Sequence, residues 1–367
     1  MSGPVVVERA RSLPVYEPGR PLDAVARDHG FADANALVKL ASNENPIGPS
    51  PRAMDAVRAA AAEVHRYPDG GTFALREGLG EALGIDPTWI VPGNGSNELI
   101  ELIGHLFLEP GTNVVMSDQA FLVYKLVGLA FGAEVRSAPM QDFTHDLDAM
   151  AALIDAHTRV VFVANPNNPT GTLLDPADVR RFVASVPSHV CVVLDEAYIE
   201  LIDPAEHPFT PAEAAAIPNL IVLRTFSKAY GLAGLRVGYG FGHRDLMQTL
   251  ARFRQPFNVN ALAQVGARAA LDDEAHLAEF CRVTRDGLAF WSDACAGAGV
   301  TMVPSVANFF LAQTGNGRAV FEALQAKGVV ARPMDAYGLP DHLRLSVGTE
   351  SENQRARDAL NELGWTA

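Results

Sequence analysis

The chain has little cysteine and no framework to use it in. Its three cysteines, Cys191, Cys281 and Cys295, have neither metal-ligand spacing nor the number a disulfide scaffold needs. Cys191 lies in the apolar run 190–194 and is expected to be a buried core thiol. Positive charge is also scarce. Against 43 acidic residues stand 29 lysines and arginines, a formal net charge of −14. That balance argues against a nucleic-acid surface, which needs a basic face. No apolar stretch reaches the length of a membrane span, and Met1 opens no basic-then-apolar leader. A reducing, cytoplasmic location is the expectation. The ten histidines are scattered, with none at ligand spacing from the acid pair Asp195 and Glu196, so a metal reading of that pair is weak. There is no internal repeat and no low-complexity linker.

What is present is ordinary globular material in quantity: 367 residues, 48% hydrophobic and 20% charged. That is enough for a large core and two domains. The proline-marked residues 1–45 read as an N-terminal arm with one short helix near 22–29, joining the C-terminal unit. Residues 51–64 are alanine-rich and helical. Residues 96–108 carry Leu99, Leu102, Ile103, Leu106 and Phe107 at a 3.6-residue period. Apolar runs at 113–116, 160–164, 190–194 and 220–223 are too uniformly apolar for a one-sided sheet. They read as buried strands of a mostly parallel sheet flanked by helices, an α/β domain over residues 46–260. A smaller α+β domain follows at 261–367. Its expected strands are 308–312, 329–331 and 343–347; its expected helices are 317–327, closed by Gly328, and 351–363, closed by Gly364.

Four segments sit at strand ends or helix starts, where open α/β sheets bind ligands. Ser227, Lys228 and Arg236 follow the run 220–223. A lysine beside small and hydroxyl residues, with an arginine eight positions on, suits a phosphorylated aldehyde: an imine at the lysine, charge-assisted hydrogen bonds at the phosphate. Read singly, Lys228 is a solvated charge and Arg236 half of an ion pair. Gly93, Gly95, Ser96 and Asn97 open the helix at 96, where free N–H groups make an anion site; a plain glycine turn capped by Ser96 is the alternative. It is neither a dinucleotide fingerprint nor a P-loop. Residues 165–171, with two prolines, three asparagines and a glycine, form a rigid turn. Asn168, between the prolines, can donate to a ring oxygen. Asp195 ends the run 190–194, where an unpaired carboxylate is costly and a cationic pyridinium nitrogen is a fitting partner. Tyr198 is a second donor for the ring oxygen, or a half-buried aromatic with a satisfied hydroxyl. One ligand meets all four demands: pyridoxal phosphate.

With these segments in this order, the sequence resembles the fold type I pyridoxal-phosphate-dependent aminotransferases, and within them the histidinol-phosphate aminotransferase family. The resemblance runs over nearly the whole chain. It also covers residues 39–46 and 48–51, 67–69, 255–258 and 343–348. It implies Lys228 as the Schiff-base lysine and proton shuttle. Asp195 takes the ring nitrogen, and Asn168 and Tyr198 take the phenolate. Ser96, Asn97, Ser227 and Arg236 hold the phosphate, and Phe121 stacks on the ring. Arg344 is implied as the substrate-anion arginine, with Arg332 as helper and Tyr16 near the substrate. Tyr67 is implied to reach the active site of a partner in a homodimer. For Tyr16 and Arg332, an exposed arm residue and a surface cation remain the alternatives.

Two departures stand out. Asn97 replaces the family's usual aspartate, which leaves the backbone role intact. Gln119, Ala120 and Phe121 replace the usual Pro-Ser/Thr-Tyr/Phe, beside the substrate side chain. The expected reaction is ping-pong transamination between a small-molecule amino donor and a 2-oxo acid, here L-histidinol phosphate and 2-oxoglutarate. Aromatic amino-acid transamination is the nearest alternative, and decarboxylation of a phosphorylated amino acid the next. A non-enzymatic regulator fits poorly, since Lys228 and Asp195 are both present.

Overall fold

A computed structural model describes residues 4–14 and 19–365. Its centre is a seven-stranded sheet made of β1 (Ile90–Gly93), β2 (Asn113–Ser117), β3 (Glu134–Ala138), β4 (Thr158–Ala164), β5 (Cys191–Asp195), β6 (Leu220–Thr225) and β7 (Gly238–Gly242). The spatial order is β1-β7-β6-β5-β4-β2-β3. Neighbours pair in parallel except β7, which runs antiparallel to both β1 and β6.

The apolar runs form strands because both faces of the sheet are covered. Side chains alternate along a strand. Val161, Val163, Val192 and Leu194 therefore enter one core with the helices Phe73–Leu83 and Pro176–Ser185. Val160, Phe162, Cys191 and Val193 enter another with the helices Ser96–Phe107 and Leu122–Phe131. Cys191 is buried there, and burial pushes its thiol well above the ordinary range.

Three strands carry no strong sequence signal, each for a local reason. β1 contains Pro92, which an edge strand tolerates because a missing N–H costs little there. β3, at the other edge, is only partly buried and so is not apolar. β7 has glycine at 238 because the turn that opens the helix at Ser96 lies against it: a Cβ on Gly238 would stand 2.6 Å from the Ser96 nitrogen.

The second unit centres on a three-stranded antiparallel sheet, Phe309–Gln313, His342–Ser346 and Arg332–Pro333, in that order. Trp291, Phe310, Leu343 and Leu345 fill its core. The helices Gly317–Ala326 and Glu350–Glu362 pack beside it, the latter started by a Thr349–Glu352 capping box. From the N-terminal arm, Val38–Lys39 pairs in parallel with Val329–Val330. Residues 261–271, assigned to the second unit by the boundary expected at 261, form a helix that buries Ala263, Ala267 and Ala270 in the first unit's core. Small side chains on that face allow close packing against the helix Pro51–Ala60, itself shorter than the helical stretch expected at 51–64. The 24-residue helix Glu274–Gly297 then carries the chain across.

Candidate active site

At the carboxyl ends of β4, β5 and β6 lies a cavity of about 240 Å³. It collects Ser96, Asn97, Phe121, Asn168, Asp195, Tyr198, Ser227, Lys228, Arg236, Arg332 and Arg344. Tyr67 lies outside it, 83% exposed and stacked on Phe257 at 4.7 Å. Tyr16 is outside the described residues.

β5 delivers Asp195 to the cavity wall. Its carboxylate accepts from the Tyr124 hydroxyl at 2.6 Å and from the Ala197 N–H at 3.2 Å. Burial pushes it up to about 6, against the pull of the Tyr124 hydrogen bond. The next residue, Glu196, pairs with buried Arg224 at 2.8 Å.

β6 leads into the loop that carries Ser227 and Lys228. The Lys228 ammonium donates to the Ser42 carbonyl at 2.9 Å. Burial, with Arg344 nearby, lowers its pKa to about 7. An amine tuned there is neutral often enough to attack a carbonyl or take a proton. Arg236 lies at φ 58°, a left-handed conformation that costs a non-glycine residue about 1–2 kcal/mol. Its guanidinium donates to Ser227 Oγ at 3.3 Å and to the Ala233 carbonyl at 3.0 Å. Gly95 makes room for it, since a Cβ there would stand 2.5 Å from Nη2.

The donor pair is set by its neighbours. Arg344 donates to Asn168 Oδ1 at 2.6 Å. A guanidinium only donates, so the amide must turn its oxygen to Arg344 and keep Nδ2 for another acceptor. Likewise the Tyr198 hydroxyl accepts from Asn43 Nδ2 at 3.0 Å, which leaves its own proton to give. Burial holds that phenol protonated, pushed up to about 12.

A family model, aminotransferase class I and II, matches residues 35–360. A histidinol-phosphate aminotransferase 1 of Thiobacillus denitrificans is 47% identical over 353 residues, 96% of this chain and 92% of that protein. The chain belongs to the class I and II aminotransferases, in the histidinol-phosphate aminotransferase family. It is a pyridoxal-phosphate-dependent transaminase. A histidinol-phosphate aminotransferase 2 of Pseudomonas aeruginosa is likewise 47% identical, covering 96% of each chain. Among solved structures, a histidinol-phosphate aminotransferase of Sinorhizobium meliloti, in complex with pyridoxal-5'-phosphate, superposes with a TM-score of 0.90. It is 29% identical and covers 98% of this chain and 97% of that one. The sequence expectation of a mostly parallel α/β fold of type I is borne out.

The residues present fit that cofactor. The donor set matches its parts: a depressed-pKa amine, a carboxylate, two hydrogen-bond donors, and an arginine beside a helix start. Gly95 and Gly238 clear the space around Arg236 and the Ser96 N–H.

Reading the sequence alone overlooked Asn43, Tyr124, Tyr337 and Ser42, though all four meet the cavity. Tyr124 had one usable signal: a phenol inside an apolar helix needs a buried partner. Asn43 offered none, because its partners Tyr198 and Ser346 lie 155 and 303 residues away. No helix among the described residues is long and apolar enough to cross a membrane.

Proposed function

We propose that the chain transfers the amino group of L-histidinol phosphate to 2-oxoglutarate, working as a homodimer in the cytoplasm. The observation that carries this reading is that arginines of two separate segments line one cavity: Arg236, bonded to Ser227, and Arg344, paired across adjacent strands with Arg332. A guanidinium fork suits both a carboxylate and a phosphate, so one site can serve the amino donor and the oxo-acid acceptor in turn. The named activity of relatives 47% identical over nearly their whole length supports the same substrate pair.

Pyridoxal phosphate supplies, when bound, a carbonyl carbon conjugated to a protonated ring that takes up the electron pair left at the donor's α-carbon. The chain does the rest. Lys228 Nζ would hold the carbonyl carbon at rest and, once freed by the donor's amine, would take the proton from the donor's α-carbon. Asp195, ionised, would hold the ring nitrogen's proton in place. Asn168 Nδ2 and the Tyr198 hydroxyl would donate to the ring oxygen. Ser96, Asn97, Ser227 and Arg236 would bind the phosphate, and Phe121 would lie against the ring. Tyr67, exposed on one protomer, reaches the partner's cavity. The chain divides into an arm, a cofactor-binding unit and a C-terminal unit beginning near the helix Glu274–Gly297.

Purified holoenzyme, assayed with histidinol phosphate and with phenylalanine, tests the substrate. A kcat/KM at least about a hundredfold higher for histidinol phosphate is expected, since phenylalanine offers the arginines a singly charged carboxylate where histidinol phosphate offers a phosphate of higher charge. A preference for phenylalanine overturns the reading.

A further inference from the structure

We propose that Tyr124 is a positioning residue for Asp195: its hydroxyl fixes the carboxylate and weakens the carboxylate's hold on the proton it shares with the cofactor's ring nitrogen. The inference rests on the reading of Asp195 as that nitrogen's partner.

Tyr124 has no exposed surface. It sits in the apolar helix Leu122–Phe131, where a buried phenol must find an acceptor. That acceptor is Asp195 Oδ2 at 2.6 Å, within the range of a charge-assisted O–H···O⁻ bond. The ring cannot swing away. Phe162 lies flat against it, with centroids 4.4 Å apart and planes 1° from parallel. Phe121, one helical turn before, meets it edge-on at 5.6 Å and 87°. The same turn of helix thus carries the residue that lies against the ring and the residue that holds the ring's carboxylate partner.

The hydroxyl stays a donor, because burial and then the charge of Asp195 keep the phenol far above its ordinary pKa. Donation to a carboxylate lowers its proton affinity. Here that opposes two influences: burial and the neighbouring Glu196 both raise Asp195, while the Ala197 N–H and Lys228 act with Tyr124 to lower it. Each carboxylate oxygen keeps lone-pair capacity beyond its one bond. Asp195 can therefore serve a ring nitrogen without releasing Tyr124. A weaker base leaves the shared proton on the ring, where the electron sink needs it.

Holoenzyme loaded with pyridoxal phosphate carrying nitrogen-15 in the ring tests this by NMR. Tyr124→Phe keeps the stacked ring and removes only the donor. The ring-nitrogen signal should move toward that of a neutral pyridine, and kcat should fall about tenfold to a hundredfold, with KM little changed. In an Asp195→Asn background the same substitution should change kcat less than about twofold, because residues acting as one unit are not additive. A second variant guards against misfolding. With 3-fluorotyrosine at position 124, a stronger donor of nearly the same shape, the signal should move the opposite way. An unmoved signal in both variants overturns the proposal. So does an equal kcat loss in the Asp195→Asn background, which would mark the hydroxyl as packing only. If Asp195→Asn alone leaves the ring signal unmoved, the reading of Asp195 fails first, and Tyr124 with it.

Discussion

The two ends of the cavity are built in different ways. The Lys228 end comes from short, contiguous segments at the carboxyl ends of β4, β5 and β6 and at the start of the helix Ser96–Phe107. Each places its residues by local geometry: a strand ends, a loop turns, a helix begins. The Arg344 end has no such segment. Arg344 stands on a central strand of the small sheet, yet its partners are Asn168, 176 residues away, and the Ala41 carbonyl, 303 residues away. Its guanidinium also lies 5.3 Å from the centre of the Phe309 ring. The lesson is that a cluster of strand-end groups can be written into local sequence, while the setting of Arg344 depends on how two units and an arm come together.

That contrast can be broken at the Lys228 end first. Lys228→Ala should lower kcat by about three orders of magnitude or more and abolish the absorbance of the lysine–cofactor linkage. Persistence of that absorbance would refute the assignment of Lys228. At the other end, Arg344→Lys should reduce kcat/KM by about tenfold to a hundredfold, mostly through KM, and leave the cofactor spectrum intact. A point charge cannot hold Asn168, Ala41 and a substrate anion together as the planar fork does. A changed cofactor spectrum would show that the two ends are not separable. The smallest effect concerns stability. Lys228 falls from 10.5 in the unfolded chain to about 7 in the folded one. Below about pH 7 both states are protonated, and the folded state bears the full cost of a buried cation. From pH 7 to 10.5 the unfolded chain binds more protons, so stability rises with pH and the cost fades. In cofactor-free protein, Lys228→Met should therefore raise Tm by a few degrees at pH 6 and by less at pH 9. A Tm gain independent of pH would contradict this origin.

The legible part of the fold follows burial. Runs at 160–164 and 190–194 announce themselves because both faces of those strands are covered. β3 is silent because it lies at a partly exposed edge, and β7 because its glycines leave room for the turn at Ser96 and for neighbouring side chains. The helix Ala261–Leu271 misleads for a related reason. Its alanines mark a packed face without saying which core receives it. In the site, Lys228, Asp195 and Asn168 stand out because each is chemically conspicuous beside an apolar strand. Asn43 and Tyr124 do not, since an asparagine in a loop and a tyrosine in a helix are unremarkable until their partners arrive.

The sequence by itself determined the two-sided parallel sheet, the order of the strand-end segments and the chemistry those segments share. Hydrophobic period and strand-end polarity are local properties, readable within a few residues. Tertiary structure alone decided which end of each amide and hydroxyl faces the cavity. Arg344 turns Asn168, Asn43 turns Tyr198, and Tyr124 holds Asp195. Donor and acceptor direction is a property of pairs, and these pairs close only when the arm, the sheet and the second unit are folded together.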